Sequence, residues 1–177
     1  CISGNDYSKG TLEPTLSPSM DIMVSSNFER FLYDAFESDT RRVSEFVAGG
    51  KADAQKMTDA EWARVRAHFS SHAVDDAATC ETIRKVHAKT GFLLDPHSAT
   101  GVKAAEVCDT EPSIPMITLA TAHPAKFSAA IERAGLQTPA LPPHMADLFS
   151  RHERCTVLDA NLDAVKQQMQ KTLGSRG

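Results

Sequence analysis

A nearly continuous apolar run, Ile114-Pro115-Met116-Ile117-Thr118-Leu119-Ala120, passes without a spacer into Thr121-Ala122-His123-Pro124-Ala125-Lys126-Phe127. A run that does not alternate polar with apolar positions has the pattern of a strand covered on both faces, as in a parallel sheet. Pro124 suits the first turn of a following helix, because its missing N–H has no partner to lose there. The predicted order is therefore strand, short polar junction, helix. In open α/β sheets ligands sit beyond the carboxyl ends of the strands. This junction places a hydroxyl, an imidazole and an ammonium in that position.

The remaining chain reads mainly as capped helices. Ser26-Asn27-Phe28-Glu29 has the form of a capping box ahead of an apolar stripe, Phe28, Phe31, Leu32, Ala35 and Phe36. A short helix is expected around Val43 to Val47, stopping at Gly49-Gly50. Thr58-Asp59-Ala60-Glu61 forms a second capping box, opening a helix that carries Trp62, Val65 and Phe69. A third helix is predicted from about Asp76 toward Gly91, with Cys80, Ile83 and Val86 inward, and another from about Ser98 after the turn at Asp95-Pro96-His97. Leu162, Val165, Met169 and Leu173, spaced by three and four, mark a final helix. With strands expected near Cys1 to Gly4, Ile114 to Ala120 and Cys155 to Leu158, the class is α/β, helix-rich, with a partial parallel sheet.

A chain of 177 residues forms one ordinary domain by size and buries roughly 70% of its unfolded surface. Its 41% hydrophobic and 24% charged residues exclude disordered and fibrous classes. The net charge of −4 gives no broad field for nucleic acid or an anionic membrane, so neither is expected as a partner. Cys1, Cys80, Cys108 and Cys155 lack CxxC spacing, and reduced thiols in a cytoplasmic protein are the simplest reading. No apolar segment approaches the roughly 20 residues of a membrane span. The chain starts without methionine, on what reads as the end of a strand and an Asn5-Asp6 turn, and is expected to be an excerpt of something longer.

Three segments are candidates to meet at a ligand: Asn5-Asp6, the Asp95 to Ser98 helix entrance, and Thr121 to His123. A helix start offers free N–H groups to an anion, which makes His97 a candidate there. Each segment also has a purely structural reading, as a turn pair, a helix entrance or a strand end.

The stretches LSPSMDIMVSSNFERFLYDAF, DPHSATG and TLATAHPAKF, in this order and spacing, resemble the carboxyl-terminal part of threonine synthase of the bacterial and fungal type. The resemblance runs from about Ile2 to the last helix. It implies a portion of the large domain of a fold type II pyridoxal-phosphate enzyme, which converts O-phosphohomoserine and water to threonine and phosphate. It implies that the Thr121 hydroxyl faces the pyridine nitrogen of the cofactor and that His123 lines the cofactor. His97, Asn27 and Arg30 become candidates for contacting substrate. The family's Schiff-base lysine stands in a Phe-Lys-Asp context far upstream; that context and the glycine-rich phosphate loop are not found here, and Lys126 is not its equivalent. On this reading residues 1–177 are the carboxyl-terminal part of the catalytic domain, inactive alone, whose partner is the amino-terminal part of the same protein. Three alternatives remain: a related phospholyase acting on another phosphorylated amino acid; a metal-dependent hydrolase using Asp95, His97 and His123 with His144 or His152; and a non-catalytic interaction module. No histidine or cysteine spacing builds a metal site, so none is expected.

Overall fold

The computed structural model describes residues 2–8, 10–49, 55–108 and 111–174. The chain divides into two compact units, Cys1–Ala140 and Leu141–Gly177, where chain length alone pointed to one.

The first unit holds two apolar cores. One is built by α1 (Glu29–Ala35), α2 (Thr40–Ala48) and α3 (Asp59–Arg66) around Leu32, Phe36, Phe46 and Val65. The stripe read from the sequence is the buried face of α1: Leu32, Ala35 and Phe36 are interior, and Phe28 and Phe31 pack against them. The box at Ser26 and Glu29 does not form. Ser26–Phe28 instead turns as a single 3-10 segment, with Phe28 N–H on Ser25 O at 3.0 Å, so the helix enters from a turn that already uses its own backbone. The box at Thr58 and Glu61 is present in full. Helix α2 begins at the Asp39 cap and ends on Gly49, which takes φ 65° where a side chain would strike Gln55; Gly50 lies outside the described residues.

The second core joins α4 (Asp76–Thr90), α5 (Pro96–Val107) and α6 (Ser128–Arg133) through Cys80, Ile83, Leu94, Ala99, Ile131 and Ala134. Helix α4 matches its sequence signals, starting at the Asp75 cap and stopping at Gly91, φ 73°. Helix α5 starts two residues before the Ser98 expected, because Asp95 caps it and Pro96 fills its first position. In the second unit α7 (Leu162–Gly174) carries the anticipated stripe.

No strand is present among the described residues. A strand exists by laddering its amides and carbonyls onto a neighbour, and residues 115–120 meet no such neighbour there. Ile117 and Leu119 are 81% and 75% exposed, so the expected covered strand is not formed among the described residues. Residues 155–158 are likewise exposed and unpaired, and residues 2–5 form a turn, with Cys1 outside the described residues. That turn is structural: the Asn5 side-chain amide donates to Met57 O at 2.8 Å and accepts from Met57 N–H at 2.9 Å. Asn5 is thus committed to the first core and is not free for a ligand.

Candidate functional site

Residues 15–21 form a loop that is held down at several points. Asp21 accepts the Thr15 amide at 2.7 Å and its hydroxyl at 2.8 Å, folding residues 15–21 around a 3-10 turn at Pro18–Met20. Asp76 at the start of α4 accepts the Leu16 amide at 2.9 Å and Arg133 Nη1 at 2.9 Å, fixing that loop against the second core.

The loop lies against the entrance of α5. Asp95 is 1% exposed, and its carboxylate accepts from His97 N–H at 2.9 Å, Ser98 N–H at 3.4 Å and the Ser98 hydroxyl. The His97 ring lies with Nδ1 3.1 Å from the same carboxylate and accepts the Ser19 amide on Nε2 at 3.0 Å. A main-chain amide can only donate, so Nε2 carries no proton and Nδ1 donates to Asp95. The helix-entrance amides expected to await an anion are therefore already taken by Asp95. His97 is buried with both ring nitrogens engaged, and its ring packs 4.6 Å from that of Phe127.

Ser98 reaches from this entrance to the second motif, its hydroxyl oxygen accepting the Thr121 amide at 3.0 Å across 23 residues of sequence. Thr121 is exposed, and among the described residues its own hydroxyl has no hydrogen-bond partner. A cavity of about 430 Å³ opens beside it, lined by His97, Gly101, Ala104, Met116, Thr118 and Thr121. Gly101 lets Thr118 approach α5 closely on its lining, since a Cβ there would lie 3.1 Å from the Thr118 methyl. His123 is exposed and accepts the Ala125 amide on Nδ1 at 3.2 Å, starting the 3-10 turn Pro124–Lys126. Lys126 is exposed with Nζ 5.8 Å from the centre of the Phe127 ring.

The structure thus brings His97 and Thr121 to one cavity, with His123 two residues on. Asn27 and Arg30 are exposed and belong to the entrance of α1, beside the first core. Asp95 and Ser98 lie in a segment that the sequence offered as a candidate, and Asp95 belonged to the hydrolase alternative, but neither was given a role toward the cofactor. Asp followed by Pro does carry the signal of an N-cap ahead of N1, whereas the Ser98 to Thr121 bond had no sequence signal. The hydrolase arrangement is not assembled: among the described residues no three His, Cys, Asp or Glu groups gather as ligands would. No helix among the described residues is long and apolar enough to cross a membrane. Cys80, Cys108 and Cys155 are free thiols.

Residues 98–169 match the family model described as threonine synthase, C-terminal. The chain is 52% identical to threonine synthase of Pseudomonas aeruginosa over 178 residues, covering 99% of this chain and 38% of the relative. It is 33% identical to threonine synthase of Saccharomyces cerevisiae over 187 residues, 90% of this chain and 36% of the relative. The crystal structure of PLP-bound threonine synthase from Brucella melitensis superposes with a TM-score of 0.81 at 38% identity, covering 96% of this chain and 37% of that one. The yeast threonine synthase structure gives 0.75 at 28% identity, with 98% and 39% covered. The chain spans less than two fifths of the length of these relatives.

Proposed function

Because this chain belongs to the threonine synthase family, matching its carboxyl-terminal part, we propose that it forms one wall of a pyridoxal-phosphate site. The full-length protein carrying it converts O-phosphohomoserine and water to threonine and phosphate, in the cytoplasm. The observation that carries this reading is Thr121: a hydroxyl left without a described partner, on a main chain tied to a buried carboxylate through Ser98, at the mouth of a cavity.

That arrangement fits the cofactor. A neutral hydroxyl donates to a pyridine nitrogen without delivering a formal charge to it, whereas a carboxylate in its place would favour the pyridinium. When bound, pyridoxal phosphate supplies the electron sink for the chemistry at the substrate's carbon atoms. With the cofactor bound, Thr121 would hold its ring nitrogen, and His123, whose Nδ1 accepts the Ala125 amide, would line it. His97, with both nitrogens engaged, shapes the cavity wall and leaves direct contact with substrate to other groups. Asn27 and Arg30 remain available on the surface for substrate or for the rest of the protein. The lysine that links the cofactor belongs, on this reading, to the remainder of the longer protein. That remainder also supplies the neighbours that turn residues 114–120 into a strand of a partial parallel sheet, covering the side chains now exposed.

The test is made in a full-length threonine synthase carrying this chain. Thr121→Val keeps the shape and removes the hydroxyl, a loss of about 1–3 kcal/mol, or roughly 5- to 150-fold in cofactor retention. Thr121→Asp should shift the cofactor absorbance in a way that Thr121→Val does not. If both variants kept the parental spectrum, cofactor affinity and turnover, Thr121 would not be the pyridine partner.

A further inference from the structure

Asp95 is a carboxylate almost wholly removed from water, with no cation among its hydrogen-bond partners. Burying a charge is tolerated when enough donors surround it, and here two main-chain amides, one imidazole N–H and one hydroxyl do so. The two main-chain amides end at Asp95, and the imidazole goes on to accept the Ser19 amide. The fourth, the Ser98 hydroxyl, spends its proton on Asp95 and so turns a lone pair toward the Thr121 amide.

Within this chain the segment that bears Thr121 has little else to hold it. Among the described residues, the amide of Thr121 is the only backbone group from 115 to 122 that makes a hydrogen bond. From Ile114 to Thr121 the side chains are exposed apart from Thr118 against Gly101. A hydroxyl polarised by a carboxylate is a stronger acceptor than a free one, because linked hydrogen bonds reinforce one another. Fixing that one amide fixes the peptide plane entering Thr121, and with it the Cα from which the hydroxyl is aimed.

We infer that Ser98, anchored by Asp95, is a positioning residue that sets the Thr121 hydroxyl by holding its main-chain amide. His97 ties the loop of residues 15–21 to the same carboxylate through the Ser19 amide, so this loop and Thr121 share one anchor. The tether itself is independent of any ligand; its consequence for the cofactor rests on the reading of Thr121 as the pyridine partner.

Amide hydrogen exchange, followed residue by residue in the 177-residue chain by NMR, reads the tether directly. Ser98→Ala removes the acceptor, and Ser98→Cys fills the same space with a poor one. Both should speed exchange at Thr121 by roughly 2- to 12-fold, the size expected from one lost hydrogen bond, with the Ile83 amide in the α4 core unchanged. Ser98→Thr, which keeps a hydroxyl at the same atom, should restore protection. Protection of Thr121 retained in both variants, or Ile83 losing protection along with it in both, would overturn the inference.

In the full-length enzyme loaded with pyridoxal phosphate, Ser98→Ala should move the cofactor absorbance in the same direction as Thr121→Val. If Thr121→Val moves it and Ser98→Ala does not, the positioning role fails. If neither moves it while Thr121 exchange quickens in Ser98→Ala, the tether stands and the pyridine-partner reading fails.

Discussion

Replacing Glu61 by Gln tests how the first core holds α2 against α3. The Glu61 carboxylate accepts Thr58 N–H at 2.8 Å, Arg42 Nε at 2.9 Å and Arg42 Nη2 at 3.0 Å. Arg42 in turn lies over the Phe36 and Phe46 rings, 4.9 and 5.4 Å from their centres, and donates to Lys56 O at 2.7 Å. Glutamine keeps the shape but turns an amide donor toward groups that are themselves donors. A hydrogen bond to a charged group contributes about 1.5–3 kcal/mol. The two Arg42 bonds act as one forked contact whose arginine side chain is 21% exposed, so solvent screening leaves about 2 kcal/mol for the whole change. In a domain of this size that lowers the midpoint of thermal unfolding by about 4–8 °C.

The effect should depend on pH. Burial pushes the Glu61 carboxyl up, but the bonds from Arg42 and Thr58 outweigh it and hold the group below its ordinary value. A pKa lowered by folding gives stability that is present above the unfolded value of about 4.3 and fades as pH falls through the folded one. Thermal melts of both proteins, followed by near-ultraviolet circular dichroism, should show the full gap at pH 7. The gap should shrink once pH drops below about 4.3. An equal gap at both ends of that range would refute the ionic origin, and no gap at pH 7 would refute the contact itself.

Ile131 is fully buried in the core that carries α5, so Ile131→Ala should cost about 3 kcal/mol, read as a lower urea midpoint with an unchanged slope. Gly91 ends α4 at φ 73°, and a Cβ added there would meet no atom within 4 Å; Gly91→Ala should therefore cost only the left-handed backbone penalty, about 1–2 kcal/mol, and a larger loss would mean a hidden clash. Mixed with pyridoxal phosphate and reduced with borohydride, this chain should show no lysine labelled one-to-one in a peptide digest. Stoichiometric label on Lys126 would contradict the reading that it is not the equivalent of the family's Schiff-base lysine.

Helix starts and stops were the most legible part of the fold, because their causes are local. Asp75 and Gly91 bound α4, and Thr58 with Glu61 opens α3, through bonds made within a few residues. Ser26 carried an equally good pattern and failed, since the chain enters there through a 3-10 turn that bonds Phe28 N–H to Ser25 O. The run 114–120 shows the limit of periodicity. Its apolar side chains reveal a segment meant to be covered, yet whether it ladders depends on a neighbour that the pattern does not contain. The candidate site divides the same way. Thr121 and His97 could be proposed from the residues around them, whereas Ser98 meets Thr121 across 23 positions, a contact set by how α5 packs and by no local signal. Asn5 gave the opposite error: its turn reading was sound, but its side chain is spent on Met57, 52 residues away.

The most direct measurement puts this chain in place of the aligned carboxyl-terminal region of Pseudomonas aeruginosa threonine synthase, to which it is 52% identical. Supplied with O-phosphohomoserine, the chimera should release phosphate and form threonine in equal amounts, and lose that turnover on Thr121→Val. A chimera that folds and retains pyridoxal phosphate yet forms no threonine would contradict the assignment.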